Sequence, residues 1–474
     1  MDRKLKNHKI VILDYIFKSI KDFLLPIIIF LSKDMSISKL LIFTGVIFLI
    51  MLLSFTKWYN TYFYIKNEKL HYNKGIISKN NIAIPIEKIT TIDFSQNVLQ
   101  KIVDVVTLKI DSGANNSKDS EIIIVIKKDS AEVLRNDLMI ERKEKLLEDI
   151  MVEKKYDNVI INMSKKDIIL YSMTQNSFAI VIGSVLSFLA FADDVLKIFN
   201  IDLDKIINKN NISFNFKFNT KIIIIIATLI VSFFVIIKLI LLIIYRLKFS
   251  NFKVVKEDKL LKVEYGLLNI KKYSFPINKI NAVILKQNIF RQLLGLYKVH
   301  ISVIGYGDEK GEEAILVPIC NKENISHILN EINPQIIFNK EMNKVNKHGK
   351  VRFFFIPMVI TIIICAISIF KNKFKYVFII LIPVVFILKY LKYKNTALGY
   401  NEKIIITSFG TFTKQTVLVE MKKIQALSKK TNYFQRIKNL CTYNIQYYSQ
   451  GFGGNITLKH LEDKHFKQIE KHLF

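Results

Sequence analysis

The chain has 474 residues, and 70 Lys+Arg against 40 Asp+Glu give it a formal charge of +30 alongside a positive mean hydropathy of +0.26. A soluble enzyme rarely combines those properties, and nucleic-acid binding would gather the basic residues on one face among aromatics; apolar membrane segments alternating with basic soluble ones account for both. Three cysteines, Cys320, Cys365 and Cys441, stand far apart with no CxxC or Cys/His spacing, which argues against a metal site and a disulfide framework.

The basic N-terminus MDRKLKNHK leads into IVILDYIF and FLLPIIIFL, where Asp14, Lys18 and Asp22 stack on one helical face. This stretch reads as one span of about 20 residues or as an interfacial helix running into a re-entrant piece, and the span is the expectation adopted. Leu40 to Phe55 is a second span, with Lys57, Trp58, Tyr59, Tyr62 and Tyr64 as an interface anchor. Strand-like pieces follow (TYFYIK, KLHY, NIAIPI, KITTIDF, VVTLKI, EIIIVIK), then a helix opening after Asp129 and Ser130.

The cycle then recurs. Phe178 to Ala192 and Ile222 to Tyr245 are apolar; Asp193 and Asp194 read as an interfacial helix end, and Lys238 can snorkel. The strands KLLKVEYG, KKYSFPI, INAVIL, KVHISVIG and AILVPI precede the helix ENISHILNEI. A third cycle runs from Lys340, Lys344, Lys347, Lys350 and Arg352 through spans Phe353 to Phe370 and Phe374 to Leu391. It closes with KIIITSFG, TVLVEM, TYNIQYYS, NITLKHL and HFKQIEKHLF.

The predicted architecture is an α+β membrane protein with three transmembrane helical hairpins, each followed by a β domain with a C-terminal helix. The expected boundaries are hairpins at 1–56, 153–245 and 334–391 (the last two with their linkers) and domains at 57–152, 246–333 and 392–474. An even number of spans per cycle puts the N-terminus and every domain on one side. Basic borders mark that side as cytoplasmic, although Lys371, Lys373 and Lys375 in the last hairpin loop oppose this.

One stretch occurs three times without gaps: GIISKNNIAIPIEKITTIDFSQN from Gly75, GLLNIKKYSFPINKINAVILKQN from Gly266 and GTFTKQTVLVEMKKIQALSKKTN from Gly410. Each copy keeps an apolar residue (Ile86, Ile277, Met421), a Lys (Lys88, Lys279, Lys423), an Ile (Ile89, Ile280, Ile424) and an Asn (Asn97, Asn288, Asn432). Leu99, Phe290 and Phe434 come two residues later. The glycines are expected to supply the positive φ of a hairpin turn, and the asparagines to cap or turn the chain with the following Leu or Phe in the core. The three lysines, with Lys271-Lys272 and Lys429-Lys430, either meet lipid phosphate near the membrane or are solvated strand-end lysines.

This repeat in register with the hairpins resembles the membrane-flanked bacterial pleckstrin-homology (PH) proteins, the YdbT-like family, over nearly the whole chain. Met421 in place of Ile makes the third copy the most divergent. The resemblance implies PH-like domains, no catalytic activity, no cofactor, and a smaller membrane protein with a single PH-like domain as a hetero-partner. GYGDEKG from Gly305 and GFGG from Gly451 lack a P-loop ending and read as hairpin turns; the eight histidines form no HExxH or i, i+4 pair. The expected function is a non-enzymatic scaffold whose PH-like domains bind partner proteins or the anionic inner leaflet, with a transport or export component as the alternative.

Overall fold

The structure, a computed structural model, describes residues 4–23, 37–76, 78–89, 91–112, 122–134, 138, 158–175, 183, 220–257, 259–303, 314–334, 342–371, 381–449 and 454–473. Strands β1 (Leu5–Lys6), β2 (Tyr62–Lys66), β3 (Lys69–Lys74) and β4 (Asn80–Pro85) form an antiparallel sheet in that order. Helices α1 (Val11–Asp22) and α2 (Ile37–Tyr59) lie between β1 and β2. After β4 the chain turns through β5 (Thr91–Gln96), the short helix α3 (Val98–Ile102), β6 (Val105–Asp111) and β7 (Ile122–Lys127).

The second cycle follows the same plan. It comprises β8 (Asn158–Asn162), α4 (Lys165–Thr174), α5 (Thr220–Lys248), β9 (Lys253–Glu257), β10 (Leu260–Tyr265), β11 (Ile270–Pro276), β12 (Ile280–Asn288), α6 (Ile289–Leu293), β13 (Tyr297–Val303), β14 (Ile315–Cys320) and α7 (Lys322–Ile332). The third comprises β15 (Asn343–Lys344), α8 (Lys347–Lys371), α9 (Leu381–Asn395), β16 (Ala397–Tyr400), β17 (Ile404–Phe409), β18 (Thr413–Glu420), β19 (Ile424–Lys430), α10 (Tyr433–Arg436), β20 (Leu440–Tyr447), β21 (Gly454–Glu462) and α11 (Asp463–Leu473).

Local chemistry explains the elements. In β10 the alternation LLKVEY buries Leu261, Val263 and Tyr265 on one face, the two-residue period of a strand. Helix α7 starts where the Asn321 side chain accepts from the Asn324 amide at 2.9 Å, and Ile325, Ile328, Leu329 and Ile332 form its buried stripe. Ala131, Leu134 and Leu138 close the first core, and Phe466 and Ile469 of α11 the third, as expected of a PH-like C-terminal helix.

The domains are not separate sheets. Strand β5 pairs with β11, giving a seven-stranded sheet β7-β6-β5-β11-β10-β9-β8, and β12 pairs with β18, giving β14-β13-β12-β18-β17-β16-β15. Along β12, Val283 and Leu285 face the second domain's core, while Ala282 and Ile284 face the third's. On β18, Leu418 joins the second core, and Val417 and Val419 join the third. The second and third domains thus share a sheet wall, one core on each face.

One expectation is corrected. The domains do not begin after the hairpins: β1 pairs with β2, β8 with β9 and β15 with β16, so each helical pair is inserted between the first two strands of its sheet. Of these lead-in strands, β1 (LK) and β15 (NK) are two-residue pieces with no apolar alternation, and β8 (NVIIN) is a short apolar run between asparagines. Six spans are expected; among the described residues two helices are long and apolar enough to cross a membrane, Leu41–Tyr59 and Lys347–Ile367. Helix α5 runs for 29 residues, and α1, expected within a span, is a 12-residue helix with a charged stripe. Asp193, Asp194, the Gly305 turn, the first three residues of the Gly451 turn, most of the 371–375 loop and all of the apolar run at 178–192 but residue 183 lie outside the described residues.

Candidate functional site

Over its described residues the threefold stretch follows the same order of turn, strand, 3-10 turn, strand and short helix in its three settings. Gly75, Gly266 and Gly410 have φ of +120°, +110° and +117°, and a Cβ there would sit 2.0, 1.9 and 2.0 Å from the carbonyl oxygen three residues on. Only glycine fits such a turn. Each turn forms a hairpin tip, and the second and third lie beside the end of a long helix. The amides of Gly266 and Leu267 donate to the carbonyls of Ser250 and Leu247 at 2.8 and 3.0 Å, just past and within the end of α5. Asn395 Nδ2, at the end of α9, donates to the Gly410 and Thr411 carbonyls at 3.2 and 3.3 Å. Ile76, Leu267, Leu268 and Phe412 at the tips are exposed.

From the tip the chain climbs one strand to a 3-10 turn that carries the repeated lysine. The seven residues of β11 cover about 23 Å at a strand's rise, so these turns stand at the far end of the sheet from the helix exits. Lys88 is exposed there and Lys279 is half-buried. Lys423 Nζ donates to the Ile280 carbonyl at 2.5 Å and to Glu420 at 3.2 Å, and Glu420 also accepts from Asn333 Nδ2 at 3.0 Å. Lys423 is therefore part of the seam between the second and third domains. Lys271 and Lys272 lie on β11 opposite Ser95 and Phe94, in the seam between the first and second domains, and Lys272 pairs with Glu264 at 3.4 Å. The geometry sets the turn lysines apart from the helix exits. Ile89 and Ile280 are buried, and Ile424 is half-buried.

The chain returns along β5, β12 or β19 to the asparagine, whose capping role holds in every copy. Asn97, Asn288 and Asn432 accept from the amides of Gln100, Arg291 and Gln435 at 2.8, 2.9 and 2.8 Å. The expectation that the next aromatic enters the core is wrong, since Phe290 and Phe434 are exposed and Leu99 is half-buried. The short helix turns that position outward, and the residue three after the cap points in instead. Gln100, Arg291 and Gln435 are each 3% exposed.

These buried polar side chains tie each short helix to its surroundings. Gln100 Nε2 donates to Asp14 Oδ2 at 3.1 Å, and Asn97 Nδ2 to Asp14 Oδ1 at 3.1 Å, fixing α3 to α1. Arg291 Nε donates to Thr174 Oγ1 and Nη2 to Gln175 Oε1, both at 3.2 Å, fixing α6 to the end of α4; its guanidinium lies 4.9 Å from the Tyr171 ring centroid. Burial pulls the Arg291 guanidinium below its ordinary value, while Tyr171 opposes the shift. Lys238 of α5 donates to the Met173 and Gln175 carbonyls at the same helix end, at 3.3 and 3.1 Å. Gln435 Nε2 meets Thr442 Oγ1 at 3.1 Å and His460 Nδ1 at 3.0 Å, and Arg352 near the start of α8 donates to the Phe434 carbonyl. The sequence signal is N-x-x-[QR], an asparagine cap that Gln100 and Gln435 complete as a capping box, with the residue three after the cap buried in every copy.

Apolar side chains remain outside. Val98 and Ile102 on α3, Phe290 and Leu293 on α6, and Tyr433 and Phe434 on α10 are all exposed, with Ile102, Leu293 and Tyr433 at 76%, 79% and 75%. Each cluster sits at the base of a helical pair. A shallow cleft of about 340 Å³ lies at the first seam, lined by Phe94, Gln96, Glu132, Ile270 and Lys272 among others. Among the described residues no cluster of His, Cys, Asp or Glu can hold a metal ion. Burial pushes the Cys320 thiol up to about 12 and the Cys441 thiol up to about 11, so neither supplies a thiolate nucleophile near neutral pH.

Comparison with known proteins accords with this threefold plan. The model of the bacterial PH domain matches residues 17–141, 213–336 and 351–474. The chain belongs to the bacterial PH domain family. Each of the three bacterial PH domain matches contains one copy of the Gly-to-Asn stretch, and those in the second and third cycles begin ahead of or within the helices that precede their domains. The UPF0699 transmembrane protein YdbT of Bacillus subtilis (strain 168) is 23% identical over 436 residues, covering 88% of this chain and 85% of the relative.

Proposed function

We propose that the protein is a non-enzymatic scaffold of the bacterial plasma membrane. In this reading three helical hairpins hold the bacterial PH domains against the cytoplasmic leaflet, and the distal faces of the domains receive partner proteins, among them a smaller membrane protein with one such domain. Insertion of each helical pair within a sheet favours an even number of crossings per pair, because both ends must return to the same domain. Lys57, Arg246, Lys248, Lys347, Lys350, Arg352, Lys392 and Lys394 stand at the domain-side helix ends, the bias of a cytoplasmic border.

The observation that carries the proposal is the exposed apolar pair on each short helix, repeated at the base of each helical pair. Burying one such side chain in the interface contributes about 1.5–3 kcal/mol at most, far less than a span. Its role is orientation: it holds the array flat on the leaflet while the spans anchor it. The lipid contact expected of Lys88, Lys279 and Lys423 moves to these helices and to the hairpin tips.

The sequence has a single tryptophan, so depth can be measured directly. Leu293→Trp in a Trp58→Phe background, reconstituted in vesicles with brominated acyl chains, is expected to be quenched. Asn278→Trp at the distal turn should not be. Equal quenching at both sites, or none at Leu293→Trp, would overturn the orientation.

A further inference from the structure

The two seams obey one register. At the first, the residue twenty after the repeat glycine of the first domain, Ser95, faces the residue five after the glycine of the second, Lys271. At the second, Lys286 and Gln415 stand at those same two offsets and face each other. The neighbouring pairs agree: Phe94 faces Lys272 and Leu285 faces Thr416, while Gln96 faces Ile270 and Gln287 faces Lys414. Each domain therefore presents two different edges, a donor edge (β5, β12, β19) and an acceptor edge (β4, β11, β18), and each seam joins one donor to the next acceptor.

Counting edges leaves one of each kind over. Among the described residues β19 ends the sheet β19-β20-β21 and β4 ends the sheet β1-β2-β3-β4. Their surfaces show it: β12 is buried along most of its length, whereas its counterpart β19 is exposed at Gln425, Ala426, Ser428, Lys429 and Lys430. Likewise β4 is exposed at Asn80, Asn81 and Ala83, where β18 is mostly buried. Open strand edges are templates for pairing with another chain.

We propose that the β19 edge of one chain pairs with the β4 edge of a second copy, continuing the head-to-tail array across molecules. The shared register assigns the contacts: Lys430 faces Asn80, Lys429 faces Asn81, Ser428 faces Ile82, Leu427 faces Ala83 and Ala426 faces Ile84. Lysine at the end of β19 is no obstacle, because Lys286 at the same offset pairs within the second seam. A further contact, made at the first seam, is open to the second copy. Lys101 on α3 donates to the Leu267 carbonyl of the next hairpin tip at 3.2 Å. Arg436, exposed on α10 at the offset of Lys101, would reach the Ile76 carbonyl of the second copy in the same way. The contact is heterologous, so copies held upright in one membrane extend into an arc or a closed ring and not an isologous dimer. The ring form rests on the membrane reading above; the pairing itself does not.

Cysteine crosslinking separates the outcomes. A chain with Asn80→Cys and one tag is co-expressed with a chain carrying Lys430→Cys and another tag, and membranes are oxidised. Disulfide-linked dimers holding both tags are expected, limited to two chains, while a chain carrying both substitutions gives a ladder of multimers. Arg436→Ala should thin that ladder. Lys422→Cys, exposed at the distal turn, replaces Lys430→Cys as the mismatched control, and unchanged protease resistance of each variant verifies its fold. Same-tag dimers of Lys430→Cys, adducts to a different protein, or mixed dimers no more abundant than with Lys422→Cys would each overturn the proposal. Because the readout needs no lipid contact, failure of the quenching test would leave this result standing.

Discussion

Substituting Asn288 by Ala removes two interactions at once. The side-chain oxygen no longer accepts from the Arg291 amide at 2.9 Å, a cap whose loss typically costs about 1 kcal/mol. The side-chain amide no longer donates to the Thr174 carbonyl at the end of α4, for about another 1 kcal/mol. The sum of about 2 kcal/mol corresponds to a roughly 30-fold change in a local opening equilibrium. Hydrogen exchange on the chain in nanodiscs reads this directly, since the amides of α6 should lose protection by about that factor while α11, in another domain, does not change. Asn432 makes only the cap bonds among the described residues, so Asn432→Ala should show about half the free-energy cost, close to a fivefold loss, at α10. Equal losses at both sites, or none at Asn288, would refute the claim that this asparagine joins the short helix to the base of the hairpin.

Two further outcomes follow from packing and charge. Gly349 lies in α8 where a Cβ would meet Val345 Cγ1 at 2.4 Å and the His460 carbonyl oxygen at 2.6 Å, so Gly349→Ala should push α8 off β21 and destabilise the third domain by about 1–3 kcal/mol, seen as a lower midpoint in thermal unfolding in detergent. Burial, and then Arg352 and Lys459, lower His460 to about 4, and burial with nearby Lys298, Lys286 and Arg291 holds His300 well below its ordinary 6.5. The unfolded chain takes up these protons near pH 6.5 and the folded chain does not, so their contribution is complete above that pH and is lost as pH falls towards 4. Denaturant unfolding at pH 7 and pH 5 tests the sign; His300→Gln and His460→Gln together should flatten the slope.

The repeat made the architecture readable, because turn glycines and capping asparagines are demanded by backbone geometry and survive in every copy. The burial of Phe290 and Phe434 was misread for a physical reason: in a one-turn helix the apolar and polar sides cannot be told apart by periodicity. The inward residue is the polar one that the cap aligns. Merging of the sheets left a trace. INAVIL in β12 is apolar on both faces, the mark of a strand covered on two sides, whereas IQALSKK in β19 carries polar residues throughout. Alternation alone could not say which strand lay opposite. The lead-in strands escaped because pieces such as Leu5–Lys6 and Asn343–Lys344 are defined only by their distant partners.

That long-range pairing has a bearing on how the chain is made. Strand β1 meets β2 only after residues 7–61 have been synthesised, β8 meets β9 after residues 163–252, and β15 meets β16 after residues 345–396. Such non-local pairs close slowly, and each sheet is left with an incomplete edge in the interval. Packing of each helical pair brings the two strand ends together, so the apolar helices act as a clamp that times domain closure. A fragment cut at the end of a hairpin would lack its first strand and begin life with an unpaired edge. Expression of single domains should therefore succeed only when the preceding strand is supplied, joined to the rest by a short linker in place of the helices.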